Sequence, residues 1–183
     1  MLSQTLSSVD RRIRRLLRAV PGFARDRRGA TAVEFGMVGI PFFMILCAIF
    51  EAAFLVFNQG NLEHATYEAS RQLLTGTIQS SGKTAANQLT DFSNLVCGRL
   101  WANFTCSKIV VDVRSASDFN SSLNTSKDLF GSGYTTSFTP GASNNVVVVR
   151  VGYPYPLYFN KFGGFNGGTA NIMAVAVFKA ENY

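Results

Sequence analysis

Phe35–Phe50 reads FGMVGIPFFMILCAIF, sixteen residues without a charge between Glu34 and Glu51, and AAFLVF carries the apolar run on to Phe57. As a helix, Phe35–Phe57 would be about 35 Å long at about 1.5 Å per residue, enough to cross a hydrocarbon core of about 30 Å. A surface helix of a soluble protein keeps a polar face, and this segment has none. The reading is one transmembrane helix. Pro41, Gly36 and Gly39 lie inside it. Membrane helices accommodate a proline when neighbouring groups re-satisfy the freed carbonyl, so the expectation near residues 37–41 is a kink and not a break.

Toward the N-terminus the composition changes abruptly. The 183-residue chain carries a formal charge of +6, and residues 1–28 hold all of the excess: eight arginines against Asp10 and Asp26. From Gly29 onward nine basic residues balance nine acidic ones. Arginines on one flank of the span and none on the other put the N-terminus in the cytoplasm and the C-terminal region outside the inner membrane. The neutral body offers no groove that would track phosphates, so no nucleic-acid partner is expected. With 47% hydrophobic and 13% aromatic residues, there is ample material for one folded core.

Toward the C-terminus the period changes twice. After Asn58, Leu62, Ala65, Ala69, Leu73 and Gly76 recur at helical spacing on one face, while Glu63, Glu68 and Arg71 fall elsewhere. Then Lys108–Arg114 (KIVVDVR), Asn145–Tyr153 (NVVVVRVGY) and Asn171–Lys179 (NIMAVAVFK) read as strands, with GGFNGG at 163–168 joining the last two. Four zones result: a basic leader at 1–29, a transmembrane helix at 30–57, an amphipathic extension at 58–80, and an exported strand-rich domain at 81–183. The expected fold is α+β, one long helix whose second half packs on a small antiparallel sheet.

Catalysis finds little to work with. His64 stands beside Glu63 on the amphipathic helix with no nucleophile motif, and reads as a solvated side chain. The 163–168 glycines lack the strand-before, helix-after setting of a phosphate loop. No cofactor, no metal and no enzymatic activity are expected. Glu51 reads as a solvated charge at the end of the span, and Trp101 and YPYPLYF (153–159) as packing aromatics. Asn103-Phe104-Thr105 matches the glycosylation triplet, a short pattern of little weight. The polar stretch Ser115–Asn145 is either a surface loop or an adhesive face. Cys47, inside the apolar run, reads as a buried thiol. Cys97 and Cys106 are too far apart for a redox CxxC pair and have no nearby histidine for zinc. In an exported domain a disulfide closing this short loop is the natural inference; two unrelated buried cysteines are the alternative.

The junction RDRRGATAVEFGMVGIPFF (25–43) is the most specific stretch. A secretory signal places its cleavage site after the apolar core, whereas here the small residue Gly29 precedes it. A twin-arginine signal would use Arg27-Arg28, but Glu34 interrupts the apolar core that should follow. Gly29 followed five residues later by Glu34, opening an apolar helix, resembles the processing site of type IV prepilins. The string GATAVEF resembles the start of TadE-like proteins of the tight-adherence pilus. The cysteine pair, the valine-rich strand entering Tyr153-Pro154-Tyr155-Pro156 and the closing Glu181 fit that family more loosely. The resemblance implies a pilin-like fold and cleavage by prepilin peptidase after Gly29, which leaves Ala30 as the mature N-terminus. It implies as partners the inner membrane, the peptidase, other pilins and the Tad assembly platform. The function implied is that of a minor pilin or pseudopilin in pilus assembly and surface attachment. The competing reading is an uncleaved single-pass anchor carrying an exported binding domain. A carboxylate in the membrane costs about 2.5–3.5 kcal/mol at the bilayer centre and less near an interface, so Glu34 should have an offsetting role. Either it pairs with the Ala30 ammonium of a neighbouring subunit, or it stabilises its own helix N-terminus through the macrodipole.

Overall fold

The computed structural model describes residues 29–101, 104–118, 128–159 and 168–182. Two compact units divide the chain between Cys47 and Ala48. Helix α1, Ala30–Leu74, runs 45 residues and continues through Pro41. The amphipathic extension expected over 58–80 is part of this helix only as far as Leu74, because Gly76 ends it. That glycine adopts φ 71°, and the Thr77 N–H donates to the Gln72 carbonyl at 3.0 Å while the Gly76 N–H donates to Leu73 at 3.3 Å. This is the paired closure of a Schellman motif, in which a left-handed glycine satisfies the orphan carbonyls. Gly76 therefore terminates the helix and does not extend its apolar face.

A second helix, α2 (Ala85–Cys97), lies where only strands and loops were expected. Thr84 caps it, with its hydroxyl accepting from the Asn87 N–H at 3.5 Å. Gln88, Phe92 and Val96 recur every four residues and are buried. Three strands follow: β1 (Val110–Ala116), β2 (Val146–Pro156) and β3 (Thr169–Lys179). They form one antiparallel sheet in the order β1-β2-β3, with Val113 opposite Val149 and Val149 opposite Ala176.

Alternation along the strands builds the core. Val111, Val113, Val147, Val149, Val151, Tyr153, Tyr155, Ile172 and Ala174 share one buried cluster with Leu62, Ala65, Ala69 and Leu73 of α1 and Phe92 and Val96 of α2. The second half of α1 and α2 thus cover one face of the sheet. On the other face, the segment 128–139 closes over β1 and β2. Leu129 is buried there, while residues 137–139 run along the free edge of β1, where the Val113 N–H donates to Ser137 O at 2.7 Å and the Thr139 N–H donates to Val113 O at 2.8 Å. β2, covered on both faces, reads as a near-continuous apolar run broken only by Arg150, as interior strands do.

Candidate functional site: the apolar helix and its two ends

Among the described residues the N-terminal end of α1 is open. Gly29 and Ala30 are exposed, and among the described residues nothing crowds Gly29. Glu34 lies one turn beyond Ala30 on the same side of the helix, exposed and without a partner among the described residues. The arginine leader, residues 1–28, lies outside the described residues. From Val33 to Phe50 the large apolar side chains are exposed on every side of the helix, Phe35 and Met37 at 72% and 73%. An 18-residue window of α1 is long and apolar enough to cross a membrane, and none of it is buried. Contiguous apolar surface on this scale marks a membrane or protein contact.

At the other end of the apolar run, Glu51 is not a solvated charge. Its carboxylate accepts from the backbone N–H of Tyr158, at 3.1 Å, and of Phe159. Helical spacing explains why: Glu51, Leu55, Asn58, Leu62, Ala65, Ala69 and Leu73 follow one another at three or four residues and form a single stripe. Leu55 packs against the core, and the buried Asn58 donates to Tyr155 Oη at 3.2 Å. The stripe that faces the sheet domain therefore begins at Glu51, not after Phe57. On the same turns, beside this stripe, Phe50, Phe54 and Phe57 remain exposed.

Cys97 and Cys106 are joined in a disulfide, their Cα atoms 5.7 Å apart. The bridge ties the end of α2 to the turn before β1, and the segment it closes reaches α1. Arg99 Nη1 lies 2.9 Å from Glu68 Oε2, and Trp101 meets Phe57 edge-on with ring centroids 5.5 Å apart.

Residues 29–71 match the family model of TadE-like proteins. The TadE-like segment starts at Gly29 and covers α1 almost end to end, and it includes no part of the sheet. No curated protein and no solved structure matches the chain. The TadE-like segment thus includes Gly29, Ala30 and Glu34, whereas Cys97, Cys106 and Glu181 lie beyond it. The Glu181 backbone N–H donates to Leu74 O at 2.9 Å, closing the last strand against the end of that helix.

Outside the matched helix, the described residues hold a buried polar network that sequence reasoning missed. Asp112 and Arg150, directly opposite in β1 and β2, are buried on the sheet face that segment 128–139 covers. Arg150 Nη2 lies 2.8 Å from Asp112 Oδ2. Arg114 Nε and Ser137 N also donate to this carboxylate, at 3.2 and 2.8 Å, as does Tyr134 Oη at 2.8 Å. Burial by itself would raise the Asp112 pKa, but these donors hold it below the ordinary aspartate value. Burial and the Asp112 charge push the Tyr134 hydroxyl up. The signal was available: a lone Asp and a lone Arg each interrupt a valine-rich strand. Part of Ser115–Asn145 is therefore a packed cover and not a free loop; its residues 119–127 lie outside the described set. So do most of GGFNGG, apart from Gly168, and Asn103 of the glycosylation triplet. His64 is exposed. Among the described residues no cluster of three or more His, Cys, Asp or Glu is placed to hold a metal.

Proposed function

We propose that this chain is a minor pilin or pseudopilin of a tight-adherence pilus, anchored by α1 as a single pass with its N-terminus cytoplasmic and its sheet domain periplasmic. The carrying observation is the TadE-like match that opens at Gly29, on an exposed junction, and runs along an apolar helix with Glu34 five residues in. In this reading prepilin peptidase cuts between Gly29 and Ala30. The freed helix then enters or primes the fibre, contacts the assembly platform and other pilins, and contributes to surface attachment. Glu34 pairs with the new Ala30 ammonium of a neighbouring subunit, which offsets the cost of a carboxylate near the bilayer.

The test is N-terminal sequencing and intact mass of the membrane-extracted protein from its own host, beside a Gly29→Ala variant. The expected result is a mature chain starting at Ala30 in the parent and an uncut chain in the variant. A parent chain that keeps its leader overturns the pilin reading and leaves an uncleaved anchor carrying an exported binding domain.

A further inference from the structure

The base of the sheet domain, where it meets α1 at residues 51–57, carries aromatic side chains that the core does not use. Trp101 is 65% exposed and Tyr158 is 51% exposed, although each has an aromatic neighbour inside the fold. Trp101 leans on Phe57, and Tyr158 meets Tyr155 edge-on with centroids 5.9 Å apart. They come from two different connections, one between α2 and β1 and one after β2. Glu51 fixes the second by accepting from the N–H groups of Tyr158 and Phe159. Phe54 and Phe57, on the same turns of α1, are also exposed.

The position of this collar along the helix identifies what it faces. The uncharged stretch starts at Phe35, and Phe35–Phe54 is 20 residues, which rises about 30 Å as a helix, the thickness of a hydrocarbon core. Glu51 then lies in the last turn of that core, where the Tyr158 and Phe159 N–H groups replace lost water. Phe57, the seat of Trp101, lies about 5 Å beyond Phe54 along the axis, inside a headgroup layer about 5–8 Å deep. Tryptophan and tyrosine concentrate at this depth because an apolar ring with one polar edge suits it. Charge agrees: the Glu51 carboxylate is engaged by backbone N–H groups, and Arg99, the cation nearest Trp101 in sequence, is turned to Glu68.

We propose that Trp101, Tyr158 and the exposed phenylalanines of the 51–57 turns form an aromatic collar that seats the base of the sheet domain in the headgroup layer of the bilayer. The proposal rests on the reading of α1 as a membrane anchor and adds to it a second, peripheral lipid contact made by the folded domain. The domain is then held against the membrane and does not swing free on its helix.

Trp101 is the only tryptophan in the chain, so its fluorescence reports the collar without labelling. The full chain would be reconstituted into phosphatidylethanolamine–phosphatidylglycerol vesicles whose acyl chains carry bromine either just below the headgroup or near the bilayer centre. Expected is a blue-shifted emission that loses most of its intensity with the shallow bromine and much less with the deep one. A Trp101→Phe, Tyr158→Trp double variant should show the same order of quenching from the second connection. Water-like emission without quenching, in protein that floats with the vesicles, overturns the collar and leaves the anchor standing. Blue-shifted emission without quenching overturns it as well, because another protein surface would then cover the ring. Protein that fails to float with the vesicles overturns the anchor and the collar together.

Discussion

Asp112→Asn removes one charge and changes almost no volume, so its effect isolates the polar network beneath segment 128–139. In the parent, Asp112 is fully buried and Arg150 is 3% exposed. The carboxylate accepts from Arg150, Arg114, Tyr134 and the Ser137 N–H. An asparagine turns one oxygen into an N–H₂ donor facing donors, and removes the carboxylate charge that lies 2.8 Å from the buried Arg150 guanidinium. Removing one partner of a buried pair costs about 3–5 kcal/mol. At about 2–4 °C per kcal/mol for a chain of this size, the melting temperature should fall by roughly 6–20 °C. The assay is thermal unfolding of the full chain in mild detergent, followed by near-ultraviolet circular dichroism of the tyrosines. The pH dependence supplies an independent check. Because the folded pKa of Asp112 lies below its unfolded value of about 3.9, the unfolded chain binds the extra proton between the two values, and stability rises with pH there. The contribution is fully present above about pH 4 and is lost as the pH falls through the folded value, so the variant should lose much of the parent's acid sensitivity in that window. A loss below about 1 kcal/mol, or an unchanged acid profile, would refute the network as the clamp of segment 128–139.

The disulfide closes a short loop, with a sequence separation of 9, for which chain entropy gives about 2.5 kcal/mol; Cys97→Ser should lower stability by about that much in the same melt, and intact mass under non-reducing conditions should show the parent two hydrogens lighter than its reduced form. Gly152→Ala places a Cβ 2.6 Å from Phe130 Cζ and 2.7 Å from Leu129 Cδ2, and this overpacking should cost about 1–3 kcal/mol and increase proteolysis within 128–139. Glu51→Gln weakens the grip on Tyr158 and Phe159 and should cost about 1–2 kcal/mol in the melt while leaving incorporation into the fibre intact. Glu34→Gln should leave the melting temperature unchanged and reduce co-purification with the pilus.

The features legible in the sequence were those whose signal is local or periodic. The apolar run, the amphipathic stripe through Leu62, Ala65, Ala69 and Leu73, and all three strands follow from spacing alone, and the α+β class follows from their order. What escaped depends on contacts across the chain. α2 was missed because Gln88, Phe92 and Val96 are only three positions in a short polar stretch, too few to reveal a period before Thr84 is recognised as its cap. Gly76 fell on the stripe by spacing, and only its left-handed backbone identifies it as the terminator. Asp112 and Arg150 are 38 residues apart, and the strand register that makes them neighbours is not visible in either strand alone. Glu51 was misjudged for a similar reason. A charge at the end of an apolar run looks solvated until a loop more than 100 residues away supplies two backbone donors.

The two glutamates that bracket the uncharged stretch show how this helix divides its tasks. Both face the same physical problem, a carboxylate beside some 25 Å of apolar helix, and dehydrating either one is costly unless donors replace the lost water. Glu51 finds its donors within its own chain, in the N–H groups of Tyr158 and Phe159, and so serves the fold of the sheet domain. Glu34 has no such donor among the described residues, and it lies one turn from Ala30, where processing would create a fresh ammonium. After such processing, the ammonium and carboxylate of one chain would lie about 6 Å apart along the axis. A neighbour shifted by that one turn would bring its ammonium level with this Glu34. A minor pilin that pairs this way has one glutamate committed to its own fold and the other free for the next subunit, and only the second should matter when subunits meet.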